Sequence, residues 1–223
     1  MTDAPALIFD LDGTLVDTAP DLLAALNDVL GRAGHRTVVP AELRHLVGHG
    51  VRTLFERAFA ETGTDVPDQT LAEYMRQFLD HYRTNIARES RPFAGVTETL
   101  RALSAQGVAM GVCTNKPHDL TELLLRDLDL AQFFGAVVGA GRVPFSKPDP
   151  RHVLEVMNEL GARRERTVFV GDSPVDVAAA RAAAVPIIVM SYGYTPVPAD
   201  TLGADIVSDD FTALPGLMAQ LLR

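Results

Sequence analysis

The chain has one cysteine, Cys113, and no tryptophan among its 223 residues. A single thiol excludes an internal disulfide framework and a cysteine-rich zinc site, and it points to the cytosol as compartment. Basic charge is also in short supply: 20 Lys and Arg stand against 29 Asp and Glu, a formal net charge of −9. A surface of that sign repels nucleic acid and anionic lipid, and no basic cluster is interleaved with aromatics. No apolar run reaches the ~18 residues that span a bilayer. The N-terminal stretch Met1-Thr2-Asp3-Ala4-Pro5 lacks the basic opening and long apolar segment of a signal peptide. Neither nucleic acid nor membrane is therefore expected as a partner, and the chain is expected to act as a monomer or homodimer.

What is present is a large apolar fraction, 47%, in two different rhythms. Pro5 to Asp10 is a short apolar run ending in acid and then Gly13, the pattern of a buried strand and a turn. From Thr18 the period becomes helical, with Leu22, Leu26, Val29 and Leu30 on one face and Pro20 in the first turn. Helical spacing continues through Leu54, Phe55, Ala58 and Phe59, then through Leu71, Met75, Phe78 and Tyr82, with no convincing strand between Asp17 and Ser90. After Pro92 helices and strands alternate: apolar strands are expected at Val108–Cys113, Ala136–Gly139, Thr167–Val170 and Pro186–Met190. Such alternation implies an α/β fold, a doubly wound parallel sheet covered on both faces. Residues 1–16 and 92–223 are read as this Rossmann-like core, and 17–91 as a small all-helical cap domain inserted after the first strand.

Ligand sites in doubly wound sheets form beyond the carboxyl ends of the strands, and four such ends carry polar residues. Asp10-Leu11-Asp12-Gly13-Thr14 places two carboxylates two positions apart behind a glycine turn. Adjacent buried anions repel unless a cation lies between them, and a hard oxygen-liganded ion such as Mg²⁺ answers that need. Thr114-Asn115-Lys116-Pro117 offers neutral donors and free N–H groups before a helix, suited to phosphoryl oxygens. Lys147, ahead of Pro148, can balance both the carboxylates and a substrate's charge. Asp172 follows a strand and Gly171 and can complete a metal site, with Asp176 four residues on supporting it from behind. Each segment alone has a bland account as a cap, a turn or a surface lysine. Four at successive strand ends do not. The acidic balance of the whole chain does not oppose an anionic substrate, because a bound divalent cation reverses the local field.

Taken in order, these segments resemble the motifs of the haloacid dehalogenase-like hydrolase superfamily over nearly the whole chain. Asp10 and Asp12 match its first motif, Thr114 the second, Lys147 the third, and Asp172 with Asp176 the acidic fourth. The resemblance implies that Asp10 attacks phosphorus and that Asp12 serves as general acid and then base. It implies a Mg²⁺ held by the Asp10 side chain, the Asp12 backbone carbonyl and Asp172, with Thr114, Asn115 and Lys147 around the phosphoryl group. Asp12 favours phosphate chemistry, since the dehalogenases of the superfamily lack an acid there. Leu46-Val47-Gly48-His49-Gly50-Val51-Arg52 is similar to the cap loop of phosphoglycolate phosphatases, as is Thr114-Asn115-Lys116-Pro117. That likeness makes Gly48, His49, Gly50 and Arg52 candidates for binding the small anionic tail of a phosphorylated metabolite. His49 stands where those enzymes often have Asn, and Pro174-Val175 replaces their polar pair before Asp176.

The leading expectation is a cytoplasmic 2-phosphoglycolate phosphatase. A phosphatase for a sugar phosphate or pyrophosphate, a β-phosphoglucomutase-like mutase and a noncatalytic scaffold are the alternatives. Retention of Asp10, Asp12 and Asp172 counts against the scaffold. Cys113 is read as buried packing, and His35, His81, His118 and His152 as surface or helix-face residues. Tyr192-Gly193-Tyr194 is read as a turn without an assigned role.

Overall fold

The computed structural model describes residues 4–43, 46–48, 50–195 and 197–223, and the side chains of all of these except 61 and 62. Strand β1 (Ala6–Phe9) has no exposed residue, so it can only sit in the middle of a sheet with both faces covered. After it come β2 (Val16–Asp17) and the helices α1 (Ala19–Arg32), α2 (Pro40–Leu43), α3 (Val51–Thr62) and α4 (Asp68–Thr84). The chain returns through β3 (Arg91–Pro92), and alternation begins: α5 (Val96–Ala105), β4 (Ala109–Pro117), α6 (His118–Asp127), β5 (Ala136–Ala140), α7 (Pro150–Leu160). It continues with β6 (Thr167–Gly171), α8 (Pro174–Ala182), β7 (Ile187–Met190), β8 (Ile206–Ser208) and α9 (Leu214–Leu221). Six strands form one parallel sheet in the order β5-β4-β1-β6-β7-β8. The α/β architecture expected from the sequence is the one found.

One face of the sheet buries Ile8, Cys113, Val138, Phe169, Ile187 and Val189 with Val153 and Val156 of α7 and Ala179 and Ala180 of α8. The other buries Leu7, Phe9, Val112 and Val170 with Leu100 of α5 and Leu214 of α9. This second cluster runs on through Leu11, Leu15 and Val16 into Leu22, Leu26, Phe55, Phe78 and Tyr82 of the helical block. The block is therefore packed on the sheet domain through apolar contact as well as joined to it covalently.

Three details differ from expectation. The fourth strand does not stop at Cys113 but continues to Pro117. Its pairing with β5 shifts register between Cys113↔Val138 and Pro117↔Ala140, so Thr114, Asn115 and Lys116 together face Gly139. Such a bulge re-aims side chains at a strand end. It needs a glycine opposite, since a Cβ on Gly139 would lie 2.6 Å from the His118 Cα and 2.8 Å from the Lys116 carbonyl oxygen. Second, β8 escaped notice because it is three residues long, at the sheet edge, with no fully buried residue. Third, the two crossings into and out of the helical block pair with each other: Val16 opposes Pro92 and Asp17 opposes Arg91 in an antiparallel ribbon.

A buried carboxylate locks that ribbon. Asp21, in the first turn of α1 and 3% exposed, accepts the N–H of Glu89 at 3.0 and 3.1 Å, the N–H of Ser90 at 2.8 Å and the Ser90 hydroxyl at 2.7 Å. Removing the acceptor leaves the two buried Ser90 donors unpaired, at a cost of about 1–3 kcal/mol each, whereas the Glu89 N–H, on an exposed residue, can turn to water. Asp21→Ala is expected to lower the stability of the protein by at least about 2 kcal/mol in urea unfolding, and a midpoint equal to that of the parent would contradict this account.

Candidate active site

Asp10 sits at the carboxyl end of β1, where the apolar run that buries the strand gives out. Its Oδ1 accepts the N–H of Leu11 at 2.7 Å and lies 2.9 Å from Nζ of Lys147. Lys147 arrives from the loop before α7, and its ammonium also meets Oδ1 of Asp176 at 2.7 Å. Asp176 belongs to the first turn of α8. Its Oδ2 accepts the backbone N–H of Asp172 and Ser173 and the Ser173 hydroxyl, and Ser173 caps the same helix in return. Asp172 follows β6, with Oδ1 taking the Thr14 hydroxyl at 2.9 Å and Oδ2 the N–H of Tyr194 at 2.7 Å. Oxygens of Asp10, Asp172 and Asp176 lie within 4.8 Å of one another.

These approaches need backbone without side chains. Gly13 has φ +87°, and a Cβ there would lie 2.4 Å from Oδ2 of Asp172; a Cβ on Gly193 would lie 2.2 Å from the Asp172 Cβ.

Charge in the cluster is unbalanced: three buried carboxylates share one ammonium. Burial, partly offset by Lys147, pushes the Asp10 carboxyl up to about 6. Burial and then the charges of Asp176 and Asp10 push Asp172 well above the usual range. Burial opposes the charge on Lys147, but Asp10 and Asp176 outweigh it and raise its pKa, keeping it an ammonium. An all-oxygen donor set with surplus negative charge is the chemistry that a hard divalent cation fits. Cys113 behaves as packing, as expected, fully buried with its thiol pushed up by burial.

A pocket opens above Asp10 and Asp12. On the core side it is lined by Thr114, Asn115, Lys116 and Pro117, and on the helical side by Gly48, Gly50 and apolar residues including Leu54 and Phe78. Thr114 is buried and its hydroxyl oxygen accepts the N–H of Lys116 at 3.2 Å. Asn115 donates to the carbonyls of Lys147 at 3.0 Å and Gly48 at 3.4 Å, bridging core and cap loop. Gly48 and Gly50 both have positive φ, +97° and +87°, and turn the chain into α3. His49 lies outside the described residues. Arg52 is not brought to the pocket: its guanidinium is spent on Glu56 at 2.7 Å and Asp68 at 2.6 Å on the exposed face of α3. Local helix pairing within reach of a long side chain wins over an uncompensated approach to the site.

Lys116, Tyr82, Tyr194 and His152 also belong to this neighbourhood, and none of them has an individual role assigned from the sequence. Lys116 contacts Oδ1 and Oδ2 of Asp12 at 3.1 and 3.3 Å and the Tyr82 hydroxyl at 2.7 Å. Tyr194 does have a role. Beyond holding Asp172, its hydroxyl accepts the N–H groups of Thr18 and Ala19 and donates to Asp17, capping α1 from the far end of the chain. His152 is no surface residue. It is fully buried, with Nδ1 accepting the N–H of Lys147 at 3.2 Å and Nε2 facing the Val138 carbonyl at 3.1 Å. Its place two residues after the Lys147-Pro148-Asp149-Pro150 turn was the available signal, since the helix that Pro150 starts carries it back over that loop.

The site is thus an acid-lysine cluster at the carboxyl edge of a parallel α/β sheet. Residues 7–190 match the family described as haloacid dehalogenase-like hydrolase, and the chain belongs to that family. It is 45% identical to a phosphoglycolate phosphatase of Agrobacterium fabrum over 98% of this chain and 94% of that protein. With one from Caulobacter vibrioides it shares 43% identity over 97% of this chain and 91% of the other. The fold matches a crystal structure described as a predicted phosphoglycolate phosphatase from Haemophilus somnus 129pt with a TM-score of 0.91 and 30% identity, covering 97% of this chain and 99% of that one. Among the described residues no helix is long and apolar enough to cross a membrane.

His152 supplies a pH test. Burial, then the charge of Lys147, lowers its pKa to about 4, whereas in an unfolded chain it is near 6.5. The unfolded chain therefore takes up the proton first. The stabilisation by the neutral ring is complete above pH ~6.5 and is lost as pH falls toward ~4, by up to about 3 kcal/mol. Urea midpoints measured from pH 7 to 4.5 are expected to fall less steeply for His152→Gln than for the parent protein; parallel slopes would rule this out.

Proposed function

We propose that the chain is a Mg²⁺-dependent phosphatase that forms an aspartyl-phosphate on Asp10 and that its preferred ester is 2-phosphoglycolate. The observation that carries the reading is the buried group of Asp10, Lys147, Asp172 and Asp176 beneath a pocket that Asp12 also lines. Identity of 45% to a protein named for this activity supports the substrate. Residues 17–91 serve as the cap over a core of 1–16 and 92–223.

In the first half-reaction a carboxylate oxygen of Asp10 bonds to phosphorus while the ester P–O bond breaks. Asp12, as the acid, gives its proton to the departing alcohol oxygen. In the second, Asp12 as carboxylate takes a proton from a water whose oxygen attacks the same phosphorus, and the Asp10–phosphorus bond breaks to release phosphate. Lys147 holds Asp10 in place and sets its ammonium beside the phosphoryl oxygens, to which Thr114 and Asn115 add donors. Asp10, Asp172 and the backbone carbonyl of Asp12 would hold Mg²⁺, with Asp176 steadying the group through Lys147 and the Asp172 N–H. When bound, Mg²⁺ offsets the surplus negative charge of the carboxylates and of the phosphoryl oxygens.

The cap side of the pocket favours a small ester over a sugar phosphate. Leu22, Val47, Val51, Leu54, Phe78 and Leu79 line it beside Tyr82, Gly48 and Gly50, so most of a polyol's hydroxyls would meet apolar side chains, at a cost of about 1–3 kcal/mol for each one buried without a partner. Phosphate release from 2-phosphoglycolate, hexose phosphates and pyrophosphate, with Mg²⁺ and with EDTA, tests the reading. Release is expected only with Mg²⁺, with 2-phosphoglycolate at least tenfold ahead in kcat/KM. Asp10→Asn is expected to lower kcat by at least ~10⁴-fold with the far-ultraviolet spectrum unchanged, because an amide is a poor nucleophile; turnover at the parent rate would exclude Asp10 as the attacking group.

A further inference from the structure

We propose that Lys116 and Tyr82 form the subsite that binds the carboxylate of the leaving group and so set the preference for an acidic alcohol. The inference rests on the phosphatase reading and gives a role to two residues that have none in the mechanism proposed above. Lys116 enters from the bulged end of β4 and Tyr82 from the last turn of α4, so the pair bridges core and cap. Both are buried, with the Lys116 side chain 2% and Tyr82 1% exposed. Both line the pocket together with Asp10 and Asp12.

Their hydrogen-bonding capacity is only partly used. An ammonium has three N–H donors and a phenol one O–H. Lys116 spends one on the Asp12 carboxylate, shared between its oxygens at 3.1 and 3.3 Å, and one on the Tyr82 hydroxyl oxygen at 2.7 Å. Among the described residues the third N–H has no acceptor, and neither has the Tyr82 hydroxyl hydrogen. Two unspent donors, one of them on a cation, thus stand together next to the acid-base carboxylate. Among the described residues the other cap-side side chains are apolar.

That position is the one reached by a group attached to the ester's leaving oxygen. Asp12 must be near that oxygen to protonate it, and Lys116 touches Asp12. A carboxylate one carbon from the oxygen comes within reach of both donors. The charges also match through the reaction: when Asp12 carries its proton as the acid, Lys116 loses its anionic partner, and the substrate carboxylate supplies another. A neutral leaving group would leave the buried ammonium without a counter-charge.

The test compares 2-phosphoglycolate with ethyl phosphate, in which a methyl replaces the carboxylate, for the full-length protein with Mg²⁺. The quantity read is the ratio of the two kcat/KM values in the parent, in Tyr82→Phe and in Lys116→Met. The ratio is expected to fall at least fivefold in each variant, with a rise in KM for 2-phosphoglycolate. A smaller change in Tyr82→Phe overturns the subsite, even if both activities decline in parallel, because a role confined to packing or to placing Asp12 lowers both esters alike. Tyr82→Phe removes one oxygen and keeps the ring, so the test stands if Lys116→Met does not fold. A parent protein that prefers 2-phosphoglycolate while both variants keep its ratio overturns the subsite alone. A parent protein without that preference overturns the substrate reading and the subsite with it.

Discussion

The structure depends on placing three carboxylates in a buried cluster with one ammonium. Taking even one such ion out of water costs several kcal/mol unless it is paired and hydrogen-bonded. Each acid meets that requirement differently. Asp176 uses one oxygen on Lys147 and the other on two backbone N–H groups and a hydroxyl. Asp172 divides its oxygens between Thr14 and the backbone of Tyr194. Asp10 has Leu11 and Lys147 on one oxygen. Asp176 is therefore saturated by the fold, while burial, with the neighbouring carboxylates adding to it, raises the pKa values of Asp10 and Asp172. A cation and a phosphoryl group would complete what the protein leaves incomplete.

The parallel sheet is what lets residues so distant in sequence meet. Strands β1, β4 and β6 lie side by side with their carboxyl ends aligned, and each gives way to a polar turn at the same edge. Asp10, Thr114 and Asp172 are then near neighbours by construction. Lys147 needs more, because it comes from the loop after β5, one strand further out. His152 holds its backbone N–H, and Asn115 its carbonyl. These two bonds fix the peptide from which the ammonium projects.

How far the sequence disclosed this follows from where each signal resides. A strand end with an acid and a glycine is local, and it repeats for Asp10 and Asp172, so the order of polar turns and the α/β alternation could be read directly. Burial pattern also identified α1, whose Leu22, Leu26, Val29 and Leu30 face inward. What stayed hidden was set by contacts across the chain. The pairing of β2 with β3 involves two residues on each side, too few for any period. Tyr194 caps a helix some 175 residues earlier, and nothing around it in sequence indicates that. Arg52 shows the reverse error. A cation beside a glycine loop invited a binding role, but Glu56 and Asp68 are better placed to take it.

Two buried lysines divide the work of the pocket, and their surroundings differ in a way that matters. Lys147 lies between two carboxylates and above the Phe169 ring, sealed at the floor of the site. Its charge is committed to holding the acidic cluster together. Lys116 has one carboxylate, one phenol and the open pocket. The neighbouring positions Asn115 and Lys116 in one bulge thus do separate things: Asn115 faces the Lys147 loop and the Gly48 carbonyl, and Lys116 faces Asp12 and α4. A regular strand would send alternate residues to opposite faces of the sheet. The bulge opposite Gly139 is what allows Thr114, Asn115 and Lys116 all to line the same pocket, so a side-chain-free residue on one strand determines how the next strand meets its ligand.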